Sequence, residues 1–411
     1  MTGTSAGEFR KSWLAIIACA VGVGVGLTGL PFYTFGVFVN PLEEAFGWSR
    51  SEIMTGLLIV NGGTVFLSPL LGVLMDRFGV RVIAIPALIG LAAGFFALSF
   101  SGPGILSFYL GWVVLAILAS GTTPLSWTRA ISERFDQARG LALGLTLLGT
   151  GVASALGPSL VQYAISSGGW QAGYRAMGLF VLIVALPLAL IGLRGTTKPK
   201  TEETSGEATP LKEGFTFGQA VTKPAFWLII SGICFVIFAQ ASSTVHFIPL
   251  LRSRGISAET AAGIMGALGI SVIIGRIVVG YLLDRFHAPK VARVFLMVPA
   301  LSLLLLLTRD DLASAWLAAI LLGLAAGAEV DLLAYLVGRY FGLRSYGLIY
   351  GVALSGFAVG GGLGPMVTGM IYEANNGYQT ALIGGIVIFA IGAGLIGCLG
   401  KYPDFARQAK T

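Results

Sequence analysis

Gly72-Val-Leu-Met-Asp-Arg-Phe-Gly-Val-Arg81 returns 208 residues later as Gly280-Tyr-Leu-Leu-Asp-Arg-Phe-His287. Each copy closes an apolar run with an aspartate-arginine pair. Other landmarks keep nearly the same register: Leu156-Gly-Pro158 with Leu363-Gly-Pro365, Gly140 and Gly144 with Gly347 and Gly351, and Glu52 with Glu259, all 207 apart. One register shared by several landmarks marks an internal repeat about half the chain long.

Outward from those motifs, apolar segments follow one another with short polar turns. A membrane-crossing helix needs about 20 apolar residues. Twelve segments meet that length or come near it: 13–39, 52–75, 82–101, 105–128, 140–164, 174–193, 224–248, 259–283, 291–308, 313–338, 346–372 and 379–400. The longest polar interruption runs from Arg194 to Lys223. The expected architecture is an all-α integral membrane protein with twelve transmembrane helices in two pseudo-symmetric six-helix bundles. Residues 1–193 form the N-terminal bundle, 194–223 a linker and 224–411 the C-terminal bundle.

Composition agrees. The 411 residues are 55% hydrophobic and 11% charged, against about 25% charged in soluble domains. A net charge of +7 is compatible with nucleic-acid binding, but the basic residues punctuate apolar runs and build no patch. No nucleic-acid partner is expected; the lipid bilayer is. Cys19, Cys234 and Cys398 fall in apolar segments and imply no disulfide framework. The run Trp13–Val39 is too long for a signal-peptide core and reads as a retained first helix. With the N-terminus cytoplasmic, twenty Lys/Arg lie inside, five outside and Arg276 in between. Both termini and the linker are therefore expected in the cytoplasm and the protein in the plasma (inner) membrane.

Arg276 is the exceptional residue. Thirteen uncharged residues precede it from Gly263 and seven follow it to Leu283. An arginine near a helix centre costs about 2.5–3.5 kcal/mol on insertion scales, so something must compensate it. At helical spacing Met265, Gly269, Val272, Ile273 and Gly280 share its face. The expectation is a water-accessible guanidinium that meets an anion. Glu329 and Asp331 lie at similar depth in the tenth segment and, at i and i+2, on different faces. Either acid is a proton-coupling candidate, or else a permanent ion-pair partner or a clasp to Arg339 or Arg285. His246 is a third coupling candidate, although a lone histidine at a helix end is more often an interfacial polar residue. Gln240, Ser243, Asn61, Thr122, Thr123 and Trp127 line a cavity or bond helix to helix. Trp13, Trp48, Trp112, Trp170 and Trp316 fall near segment ends, as an interfacial belt would place them.

Gly-x-x-x-Asp-Arg-x-Gly-x-Arg between the second and third segments, with its weaker copy between the eighth and ninth, resembles the signature of the major facilitator superfamily. The resemblance covers the whole chain and implies a secondary transporter that rocks two parallel repeats around a central site. It also implies a gate at Asp76, Arg77, Arg81, Asp284 and Arg285, for which loop anchoring is the plainer alternative. A narrower likeness is carried by Arg134-Phe-Asp-Gln-Ala-Arg-Gly-Leu-Ala-Leu-Gly144 and by Arg339-Tyr-Phe-Gly-Leu-Arg-Ser-Tyr-Gly-Leu-Ile-Tyr-Gly351. These are similar to the lead-ins of the fifth and eleventh helices in bacterial monocarboxylate porters and oxalate:formate antiporters. That likeness implies substrate binding by Arg276, with Tyr33 as an aromatic of the cavity; Tyr335 is added because it shares the stripe of Asp331. Where the exchanger has a second basic residue this chain has Ala353, which favours a monoanion over a dicarboxylate. Val272 stands where animal carriers have an aspartate, and Trp13–Val39 holds no lysine, so their coupling route is not repeated.

The expected function is transport of small organic monocarboxylates by alternating access, as proton symport or anion exchange. Protons or a counter-anion are the partners. Export of amphipathic drugs or metabolites on the same fold is the nearer alternative, and a transporter-like membrane sensor the more distant one. No cofactor, metal or catalytic residue is expected. There are only His246 and His287, no metal-ligand spacing, and Gly360-Gly-Gly-Leu-Gly364 lacks the lysine of a phosphate loop.

Overall fold

Ser49 opens the helix Arg50–Phe78 with a capping box. Its hydroxyl accepts the Glu52 N–H (3.3 Å), and the Glu52 carboxylate accepts the Ser49 N–H (2.8 Å). Apolar runs bounded by such caps and by glycines fold as helices throughout. The computed structural model describes residues 5–135, 139–194, 214–283, 285–327, 329–342 and 344–403.

The first repeat comprises α1 (Ser5–Val25), α2 (Leu30–Phe46), α3 (Arg50–Phe78), α4 (Val80–Ser99), α5 (Ile105–Leu118), α6 (Pro124–Ser132), α7 (Arg139–Phe180) and α8 (Leu186–Gly192). A short α9 (Phe217–Val221) precedes the second repeat. That repeat comprises α10 (Pro224–Ser253), α11 (Ala258–Leu283), α12 (Ala288–Thr308), α13 (Leu312–Ala326), α14 (Glu329–Phe341), α15 (Tyr346–Asn375) and α16 (Gln379–Gly397).

Among the described residues, nine helical runs are long and apolar enough to cross a membrane. One of them, Leu141–Gly192, holds two of the sequence segments, because Gly168 and Gly169 leave helical geometry and Gly169 turns at φ 76°. With α3 and the α5–α6 pair, all twelve segments lie on helix. Many large apolar side chains on these helices stay open, among them Phe66, Ile183, Val294 and Ile277. So much exposed apolar area is what a lipid-facing surface requires.

By compactness the chain forms two units, Met1–Thr201 with Val245–Ile270, and Glu202–Thr244 with Ser271–Thr411. The segment Val245–Ile270, which the repeat assigns to the second half, thus packs with the first unit. Residues 195–213, most of the expected linker, lie outside the described residues. Its last residues join the second unit, where the Phe215 N–H donates to the Phe341 carbonyl (2.9 Å).

Glycines set the closest helix contacts. In the first unit Gly24 lies against the backbone of Gly149, so α1 and α7 touch main chain to main chain. In the second unit Gly275 lies against the Leu324 carbonyl, and Gly360 and Gly364 lie against α10 at Cys234 and Phe238.

The tryptophan belt needs correction. Trp13 and Trp316 are exposed, but Trp48, Trp112 and Trp170 are buried in the first unit. Trp48 stacks on Phe46 (4.4 Å), and its indole donates to the Pro103 carbonyl (3.0 Å). Trp112 packs on Phe35 (5.3 Å). These rings gain more from aromatic packing inside the bundle than from a position at the interface.

Candidate functional site

The second unit breaks its tenth apolar segment. Within the helical run Leu312–Phe341, α13 ends at Ala326, Gly327 forms a turn, and the described helix resumes with α14 at Glu329. A helix that stops inside a membrane leaves carbonyls that need donors. Arg276 supplies one, its Nε donating to the Gly327 carbonyl at 3.3 Å. The same Nε lies 3.1 Å from Asp331 Oδ2, in a pair whose side chains keep 15% and 32% exposure. Gly327 lets α11 come this near, because a methyl group there would strike the Val272 carbonyl and the Arg276 N–H.

Arg276 faces inward. Of the residues expected on its face, Met265, Gly269 and Val272 are buried, Ile273 is half-buried and Gly280 is exposed, while Ile270, Ile274, Ile277 and Tyr281 around the rest of the helix are exposed. The guanidinium therefore lies on the protein side of its helix and retains an opening to its surroundings.

Glu329 and Asp331 behave differently. Asp331 takes the ion pair. Glu329 is 4% exposed, and its Oε1 is buried without a hydrogen-bond partner. Neither acid reaches the basic residues at the helix ends. Arg339 lies over the rings of Tyr335 (5.8 Å) and Tyr402 (4.8 Å), and Arg285 over Tyr281 (4.1 Å).

The first unit breaks at the equivalent place. α5 ends at Leu118, a single tight turn covers Ser120–Thr122, and α6 restarts at Pro124 behind Thr123. Gly121 and Phe135 correspond to Gly327 and Phe341 at a common offset of 206. The Thr122 carbonyl accepts the Trp127 indole N–H (3.0 Å), and the Thr122 hydroxyl accepts the Leu27 N–H (3.3 Å). Leu27 lies where the first apolar segment is itself broken, between α1 and α2. Gly22 makes room for the Trp127 ring.

Among the other expected site residues, Tyr335 donates its hydroxyl to the Leu283 carbonyl (3.2 Å) and so closes the end of α11. Tyr33 is buried on α2 in the first unit, its ring edge-on to Phe32 (5.2 Å). His246 is buried on the part of α10 that packs with the first unit. Gln240 donates to the Leu322 carbonyl (3.2 Å), and Ser243 and Asn61 bond carbonyls of their own helices.

Of the gate residues, Arg77 is exposed with its guanidinium over Phe78 (5.3 Å), and Arg81 reaches the Leu190 carbonyl (3.5 Å). Asp284 and the side chain of Asp76 lie outside the described residues. Two features escaped the sequence reading: the Gly327 carbonyl as a partner of Arg276, and the paired helix breaks. Gly121-Thr-Thr-Pro124 carried a signal for one break, since proline favours a helix start.

The family model of the Major Facilitator Superfamily matches residues 21–365. The chain belongs to the Major Facilitator Superfamily. It is therefore a multi-pass membrane transporter of the secondary class and not an enzyme.

Among its superfamily relatives is the uncharacterized MFS-type transporter YcxA of Bacillus subtilis, 24% identical over 98% of both chains. Human monocarboxylate transporter 11 is 24% identical, covering 93% of this chain and 82% of that one. The aspyridones efflux protein apdF of Emericella nidulans is 23% identical, covering 94% and 79%. A solved bacterial homologue of the human lysosomal transporter Spinster, crystallised inward-facing and unoccupied, superposes with a TM-score of 0.74. It is 18% identical, with 96% of this chain and 97% of that one covered, a likeness of fold.

Proposed function

We propose that the protein carries small organic monocarboxylates by alternating access, as a proton symporter or an anion exchanger. Arg276 binds the carboxylate. The observation that carries this reading is the half-open Arg276–Asp331 pair at the helix break. A guanidinium binds a carboxylate in a charge-assisted geometry. Its resident partner Asp331 balances its charge when no substrate is bound, and a single cation suits a monoanion better than a dicarboxylate. Relatives named monocarboxylate transporters point the same way. Tyr33 and Tyr335 are proposed to shape the cavity, although the Tyr335 hydroxyl is already engaged by α11. The signature arginines Arg77, Arg81 and Arg285, with Asp76 and Asp284, are proposed as the gate. The proposed setting is the plasma membrane, with two six-helix bundles and both termini and the linker cytoplasmic.

The test is uptake of labelled lactate, pyruvate or formate into proteoliposomes. Wild-type protein accumulates at least one of them and Arg276→Ala does not; unchanged uptake by the variant removes Arg276 from the site. The efflux relative of Emericella nidulans supports a second reading, export of amphipathic metabolites. Expulsion of such compounds without carboxylate uptake would favour it.

A further inference from the structure

Resting on that reading, we infer that Glu329 carries the coupling proton, while Asp331 stays ionised as the standing counter-ion of Arg276. The two acids are two residues apart, yet their surroundings assign them different work. Asp331 has a cation at 3.1 Å and keeps a third of its surface open. Glu329 is sealed, with one carboxyl oxygen facing no hydrogen-bond partner.

The groups around Glu329 offer it no counter-charge. On α11, Arg276 is held by Asp331 and the Gly327 carbonyl. On α15, the Tyr346 hydroxyl donates to the Ala334 carbonyl (3.3 Å), and Tyr350 stacks on the Tyr346 ring (5.6 Å). On α12, Lys290 and Arg293 lie in the first two turns, and Val294–Thr308 holds no ionisable residue. α13 holds none at all. With one carboxyl oxygen buried and unpartnered, burial works against the carboxylate ion and in favour of the neutral acid.

Charge arithmetic then gives the coupling. Arg276, Asp331 and an ionised Glu329 sum to −1; with Glu329 protonated the sum is zero. Adding a monocarboxylate to the protonated set restores −1. A monocarboxylate added to the ionised set would make −2, so protonation of Glu329 favours substrate binding, and bound substrate favours protonation by the same factor. In the step itself, water on one side delivers H⁺ to the Glu329 carboxylate, an O–H bond forms, and the same bond breaks to water on the other side. Glu329 lies two residues past the turn at Gly327, where a local movement of the chain can open it to water.

The experiment compares wild-type, Glu329→Gln and Asp331→Asn proteins in proteoliposomes. Glu329→Gln should keep lactate counterflow and lose accumulation driven by a pH gradient. Its infrared spectrum should lose the protonated-carboxyl band that wild type and Asp331→Asn both show at neutral pH. Accumulation by Glu329→Gln at the wild-type level, or an unchanged band, overturns the inference. If Glu329→Gln does not fold, dicyclohexylcarbodiimide, which reacts with protonated buried carboxyls, is applied to wild type. An adduct mapped to Glu329 supports the inference, and its absence overturns it. The spectroscopic and labelling results do not depend on which solute moves. Failure of the carboxylate reading, shown by Arg276→Ala uptake, is therefore told apart from failure at Glu329.

Discussion

The two helix breaks pose one backbone problem and solve it with different chemistry. At Thr122 the freed carbonyl takes a neutral donor, the Trp127 indole. At Gly327 it takes a guanidinium that also holds a carboxylate. A neutral donor completes the hydrogen bonding and asks for nothing more. A charged donor in the same role needs a counter-ion, and under the proposal that pair is what answers to anions and protons. The comparison teaches that a transporter can place its charge where an inherited break already required a donor.

Three experiments test this contrast by thermal unfolding in detergent. Arg276→Ala should destabilise most, since it strands Asp331 and the Gly327 carbonyl together. Removing one partner of a buried pair costs about 3–5 kcal/mol, and the openness of Asp331 places the loss at the lower end. Trp127→Phe strands only the Thr122 carbonyl and should cost about 1–3 kcal/mol. A larger loss for Trp127→Phe than for Arg276→Ala would break the comparison.

Next come the glycines. Gly327→Ala meets main-chain atoms of Val272 and Arg276, whereas the nearest atoms to Gly121→Ala are the Ala87 and Ile83 side chains (2.8 and 3.0 Å). Overpacking costs about 1–3 kcal/mol, and Gly327→Ala should fall above Gly121→Ala because main chain yields less. Equal losses would mean that α11 and α13 separate easily.

The smallest effect is expected from Thr123→Val. The Thr123 hydroxyl is buried without a partner, so its loss should move stability by no more than about 0.5 kcal/mol. A marked loss would reveal a hydrogen bond made in another state of the carrier.

The spans, the repeat and the need of Arg276 for a compensating partner were legible in the sequence, because hydropathy and a stray charge survive ignorance of packing. The breaks were not. Gly327-Ala-Glu329 interrupts a run that is apolar over any window long enough to cross a bilayer. Spacing placed Glu329 and Asp331 on different faces but did not say which face met α11. That was decided by the closeness Gly327 allows. Trp48, Trp112 and Trp170 misled for the opposite reason, since position along a segment says nothing about whether a ring points to lipid or to Phe35, Phe46 and Phe108.

Gly275 and Gly327 bracket the guanidinium, one resting on the Leu324 carbonyl and the other on that of Val272. Two rods joined at bare main chain have no flexible side chains between them to absorb sliding. Sliding α11 past α13 would drive backbone into backbone, a resistance that a contact cushioned by side chains would lack.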